Sequence, residues 1–193
     1  MRNKNISEQP QKLGEGTFRY PGDPETPGLL LHISPELGRK LKDSTIDFNH
    51  AAYINYLRNH SDLNDDEIKD LQLSIMIHKK GPRQLRSGSF NQKDGIVNIF
   101  IGGDKPNQIK NANRALLHET EHMIDSHNED GYKPSYEKML RIANRLRFIQ
   151  PLGFFALSVA AIQLSLDKHE RKANRAEKNY TGEDIITFAK GDK

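Results

Sequence analysis

The stretch Leu116-Leu117-His118-Glu119-Thr120-Glu121-His122-Met123-Ile124-Asp125 constrains this chain more than any other. Two histidines four residues apart lie on one face of an α-helix, a turn from each other. Their ring nitrogens can then reach one metal ion. At ~3.6 residues per turn, Glu119 falls about 100° round from His118 and about 60° from His122. It stands beside such an ion, where a carboxylate can take a proton from a water held there. Asn111, Ala115, His122 and Asp125 share the face of His118, while Leu116, Leu117, Met123 and Ile124 form the back. The segment therefore predicts an amphipathic helix with its apolar back in a core and its ligands in front.

Composition narrows what can complete the site. There is no cysteine among the 193 residues, so disulfides and thiolate ligands are excluded and a zinc site must use histidine and carboxylate. The length suggests one domain: a flexible arm over 1–28, a body over 29–180 and a tail over 181–193. Proline and glycine punctuate the arm, which could cover a cleft or bind a partner. No apolar run follows Met1-Arg2-Asn3-Lys4-Asn5, so no signal peptide is read and a cytoplasmic location is expected, with membrane association as the alternative. A net charge of +3, dispersed and without aromatic-interleaved basic patches, gives no reason to expect nucleic acid.

In chain order, Leu29 to Ile33 reads as a strand, and Ser34-Pro35-Glu36 starts a short helix to about Leu41. A helix is expected over Ile46 to Leu57. Asn64 caps another, with Ile68, Leu71 and Ile75 at helical spacing and Gly81-Pro82 as its stop. Gln84 to Asn91 and Ile96 to Ile101, joined through Asp94-Gly95, read as a hairpin. Pro106 starts the helix of the histidines, and Pro134 restarts a helix through about Arg147. The apolar stretch 148–166 approaches the length of a membrane span. Pro151 and Gly153 break it early, so the reading preferred is a buried helix from about Phe154, with membrane contact as the alternative.

A catalytic zinc usually takes three protein ligands and leaves one position for water. Six residues past His122 stands Asn128, which does not serve. Asp125 shares the histidine face, but ligands spread over two turns of one straight helix converge poorly; its expected role is to orient a ligating histidine through the ring N–H. Downstream, Glu170-Arg171-Lys172-Ala173-Asn174-Arg175-Ala176-Glu177 puts Glu170, Ala173, Asn174 and Glu177 on one helical face. Glu170 can reach the metal, and Ala173 is small enough to let two helices approach. Asn174 can accept from the N–H of a ligating ring, and Glu177 is the fallback third ligand.

H-E-x-x-H followed by E-x-x-A-N resembles the gluzincin metallopeptidases, of which HtpX-type proteases and ImmA/IrrE-type regulators carry such a pair of motifs. The resemblance rests on 118–125, 170–177 and the hairpin before the motif helix. It implies an α+β fold, a mostly helical zincin-like domain with a small antiparallel sheet or hairpin beside the motif helix. It also implies Zn²⁺ held by His118, His122 and Glu170, with Glu119 as general base and a protein or peptide as substrate. One strand of the sheet would run along the substrate groove, where an extended peptide adds as a further strand. The expected activity is that of a zinc metalloendopeptidase. The alternatives are a non-catalytic zinc-stabilised interaction or regulatory module on the same fold, or a membrane-associated quality-control protease. Candidates for stabilising an oxyanion, by position, are His127, Tyr132, His169, Arg171, Arg175 and Tyr180.

Overall fold

The computed structural model describes residues 10–22, 27–41, 44–60, 63–128 apart from 83, 85 and 104, residue 158, and 167–190. Its architecture is α+β. Eight strands form, in order β1 (Gln11–Gly14), β2 (Thr17–Tyr20), β3 (Leu29–Ile33), β4 (Ser44–Phe48), β5 (Leu73–Lys79), β6 (Gly88–Asn91), β7 (Ile96–Ile101) and β8 (Ile186–Lys190). The helices of the described residues are α1 (Pro35–Lys40), α2 (His50–His60), α3 (Asp65–Asp70), α4 (Pro106–Asn128) and α5 (Lys168–Asn179).

Six strands make one mixed sheet in the order β1-β2-β3-β5-β7-β6. The pairs β3–β5 and β5–β7 are parallel, and the remaining pairs are antiparallel. This is a larger sheet than the small antiparallel one expected, and the described residues are not dominated by helix. Its two faces differ sharply. Leu29, Leu31, Leu73, Ile75, Ile77, Val97, Ile99 and Ile101 alternate onto the buried face, while Leu30, Ser74, Met76, His78, Asn98 and Phe100 face the other way, exposed or half-buried. That period of two is what a sheet covered on one side produces. The covering comes largely from α4, which packs across β7 and β6 with Leu116, Leu117 and Ile124 buried.

The expected helix from Asn64 to Lys80 is instead a short helix and a central strand. Asn64 builds a full capping box: its Oδ1 accepts from the N–H groups of Asp66 and Glu67, each at 3.0 Å, and the Glu67 carboxylate accepts from the Asn64 N–H at 2.7 Å. Leu71 then turns to extended backbone and α3 stops. Leu73-Ser74-Ile75-Met76-Ile77 satisfies two periods at once, and the parallel ladders to β3 and β7 select the strand. The helix expected from Ile46 starts later. Thr45 and Ile46 belong to β4, and Asn49 caps α2 by accepting from the N–H of Ala52 at 3.0 Å.

Within the stretches expected as an arm and a tail, described residues form strands. Residues 11–20 form a hairpin that extends the sheet beyond β3. β8 pairs antiparallel with β4, Ile46 opposite Phe188 and Phe48 opposite Ile186. Buried Asn113 of α4 fixes the start of β8. Its Oδ1 accepts from the N–H groups of Ile185 (2.9 Å) and Ile186 (2.8 Å), and its Nδ2 donates to the Ile186 carbonyl (2.8 Å). One side chain thus satisfies three buried backbone groups that a loop entering the core would otherwise leave orphaned.

The hairpin β6–β7 forms as expected, with Asn91 opposite Ile96. Gly95 takes φ +65°, the left-handed position that closes the turn. The expected helix over 134–147 and the apolar stretch 148–166 lie outside the described residues, save Ser158. Among the described residues no helix is long and apolar enough to cross a membrane.

Candidate metal centre

Helix α4 carries His118 and His122 on the face away from the apolar back, and α5 lies alongside it. Ala173 is fully buried, so α5 comes close to α4 where a larger side chain would hold it off. The N-cap of α5 is Asp167, whose carboxylate accepts from the N–H groups of His169 (2.9 Å) and Glu170 (3.4 Å). The cap fixes the first turn of α5, and that turn contains Glu170.

The result is a triangle. His118 Nε2 lies 3.2 Å from His122 Nε2, His118 Nε2 lies 3.2 Å from Glu170 Oε2, and His122 Nε2 lies 3.3 Å from Glu170 Oε1. An imidazole nitrogen offers either one lone pair or one proton in the ring plane. The two Nε2 atoms therefore cannot hydrogen-bond to each other and to Glu170 at the same time. A tetrahedral ion bound by nitrogen and oxygen at ~2.0–2.1 Å would set its ligand atoms roughly 3.3 Å apart, close to these separations, in which each histidine faces a different oxygen of the Glu170 carboxylate. His118, His122 and Glu170 could thus hold a metal ion.

The remaining predicted residues fall around this triangle in unequal ways. Glu119 reaches toward β6: a Cβ at Gly88 would come 2.7 Å from Glu119 Cγ and 3.2 Å from Ala115 Cβ, so the strand crosses the helix where only a glycine fits. Glu177 is outside the triangle. One of its oxygens lies 3.8 Å from the other ring nitrogen of His118, and its second lies 3.8 Å from Arg114 Nε. Asp125 is buried and turns to α5 instead of His118 or His122: its Oδ2 faces His169 Nδ1 at 2.7 Å and its Oδ1 accepts from Lys172 Nζ at 3.1 Å. Asn174 is exposed and makes no side-chain hydrogen bond among the described residues, because it lies round α5 from the contact that Ala173 makes.

The candidate oxyanion stabilisers are dispersed. His127, Arg171 and Arg175 are exposed. His169 is buried against Asp125, and the Tyr180 hydroxyl donates to the Glu183 carbonyl at 2.7 Å. Tyr132 lies outside the described residues.

Charge is unbalanced in this corner. Burial raises the Glu119 pKa above the usual carboxylate range; His118 and His122 oppose the shift, Glu170 adds to it and Arg86 opposes it. For His118, burial disfavours the protonated ring, yet the hydrogen bond to Glu170 and the charges of Glu119, Glu170 and Glu177 outweigh it and raise the pKa above 6.5. A corner that pulls protons onto its own histidine has room for positive charge.

Several residues that matter here carry no motif. Tyr53 and Thr120 share a buried hydroxyl contact at 2.9 Å, and the Tyr56 hydroxyl donates to Glu121 Oε1 at 2.7 Å. The two residues between Glu119 and His122 are therefore held by α2. The signal available in sequence was the pair Tyr53 and Tyr56, two hydroxyls within the helix expected over Ile46 to Leu57.

No protein-family model matches the chain, and neither a curated protein nor a solved structure does.

Proposed function

We propose that this protein is a zinc-dependent metallopeptidase, with His118, His122 and Glu170 holding the ion and Glu119 as general base. The observation that carries the reading is the convergence of two imidazole nitrogens and the Glu170 carboxylate, from two helices, at 3.2–3.3 Å, with a carboxylate of raised pKa one residue from the first histidine. Two histidines and one carboxylate are a donor set that suits zinc and leaves a position for substrate or water. Zinc bound there would polarise the scissile carbonyl and make water acidic enough to attack at neutral pH.

The chain's own residues supply the rest. Glu119 takes the proton of the attacking water and delivers it to the departing amine, a transfer favoured when a carboxyl is held above its ordinary pKa. Gly88 leaves that carboxylate its space. β6 is an edge of the six-stranded sheet and passes directly beside Glu119. Its outer backbone edge, unpaired among the described residues, offers an extended peptide a ladder of main-chain hydrogen bonds that would bring a peptide bond past the base. The gluzincin resemblance points the same way.

The test is hydrolysis of unfolded protein and mixed peptides by the full chain. Activity should be lost on adding a chelator, restored by zinc, and absent in Glu119→Gln. Zinc binding without any hydrolysis, unchanged by Glu119→Gln, would replace the reading with a zinc-stabilised interaction module.

A further inference from the structure

On the other side of α5 lies a feature that the peptidase reading leaves unused. A cavity of about 500 Å³ is lined by Lys168, Arg171, Lys172 and Arg175, with the carboxylate of Glu121 in its wall. Glu170 and Glu177 occupy a different face of the same helix, so α5 carries its acids toward the metal corner and its bases into this cavity. We propose that the cavity is a binding site for phosphate groups.

Three observations carry this. First, the two arginines are not balanced from within the described residues. Lys172 is held by Asp125 at 3.1 Å and Glu121 at 3.7 Å, but Arg171 and Arg175 are exposed and pair with no carboxylate among the described residues. Second, their spacing is costly for a helix. Lys168 with Arg171 and Lys172, Arg171 with Arg175, and Lys172 with Arg175 are all like charges at i,i+3 or i,i+4, where neighbouring side chains repel each other. Cations in the first turn also oppose the helix dipole. An anion in the cavity relieves both effects. Third, the chemistry selects phosphate over a lone carboxylate. Two guanidinium groups one turn apart present two planar forks, and a phosphate group has enough acceptor oxygens to engage both. The cavity is also larger than a single carboxylate requires.

A phosphate group could arrive free in solution or on a phospholipid surface. The second source has a reason in the sequence, since the apolar stretch 148–166 directly precedes this cationic helix.

The experiment uses the full-length protein and two probes. Thermal melts compare inorganic phosphate with chloride at matched ionic strength. Co-sedimentation compares vesicles of phosphatidylcholine alone with vesicles that also contain phosphatidylglycerol. Wild type stands beside Arg171→Gln/Arg175→Gln, with circular dichroism and zinc content as controls for fold. The double variant removes a repulsive pair and is expected to fold; the single Arg175→Gln serves if it does not. A rise in Tm with phosphate that the variant loses supports the site and assigns it to free anions. Binding only to the phosphatidylglycerol vesicles, weakened about tenfold or more in the variant, supports it and assigns it to a membrane headgroup. Absence of binding to both probes, or binding equal in wild type and variant, overturns the proposal.

Discussion

Helices α4 and α5 meet twice, with opposite chemistry. Around His118 they bring two imidazoles together with the carboxylates of Glu119, Glu170 and Glu177, and the cations nearby, Arg86 and Arg114, act from the margin. Further along, the same helices bring Glu121 and Asp125 together with Lys172, His169 and the hydroxyl of Tyr56. In the second cluster each carboxylate accepts at least one hydrogen bond and shares the Lys172 cation. In the first, acceptors outnumber donors around one point. A fold that gives one buried polar cluster its own cation and leaves its neighbour short of positive charge could hold a metal ion in that neighbour.

Substitution of one charge in each cluster should therefore give opposite results. Glu119→Gln is expected to lower hydrolysis by about 10²–10⁴-fold and to retain zinc, as measured by turnover and metal analysis. Its stability without metal should not fall. Burial raises the Glu119 pKa, so its contribution to stability is present below the ordinary 4.5 and lost as pH rises through the raised value. Near neutrality the carboxylate is thus a burden that glutamine removes. A clear loss of stability in Glu119→Gln, read by chelator-treated melts, would put this corner in the same class as its neighbour.

Lys172→Met is the converse. It leaves Asp125 and Glu121 buried without their shared cation. Breaking a buried pair costs ~3–5 kcal/mol, and the partial exposure of Lys172 reduces the expectation to roughly 2 kcal/mol. Urea unfolding measures it, and a neutral outcome would mean that the matched cluster does not hold the helices together.

Gly88→Ala sharpens the account of Glu119 alone. The added methyl meets Glu119 Cγ at 2.7 Å and must push the side chain aside. We expect hydrolysis about tenfold slower with zinc content unchanged. A normal rate would show that the carboxylate adapts without losing its aim.

The smallest effect is a pH dependence. His118 titrates above 6.5 when no metal is bound, so its contribution to the stability of the metal-free protein is full below 6.5 and lost as pH rises through the raised value. Metal needs the deprotonated ring. The rise in Tm on adding zinc should therefore be larger at mildly alkaline than at mildly acidic pH, and the reverse order would contradict the assignment of His118 as a ligand.

The sequence was most legible where one residue type does one job. His118 and His122 are a turn apart by helix geometry, Asn64 reads as an N-cap, and Asp94-Gly95 marks a hairpin; all three stand in the structure. It was least legible where long-range pairing decides. Leu71, Leu73, Ile75 and Ile77 fit a helix and a strand alike, and only β3 and β7 on either side choose between them. Residues 11–20 and 186–190 look like loose ends because their partners lie far off in sequence. Asp125 illustrates the same limit within the candidate site. Its place on the histidine face was readable, but its partners His169 and Lys172 come from α5, and face alone does not say which histidine a carboxylate will meet.

The central claim is that His118, His122 and Glu170 together hold one metal ion. Metal analysis of the purified protein, wild type beside Glu170→Ala, tests it most directly. The account predicts about one zinc per chain in wild type and a clear loss in the variant. Equal zinc in both proteins, or none in wild type even after zinc is added back, would contradict it.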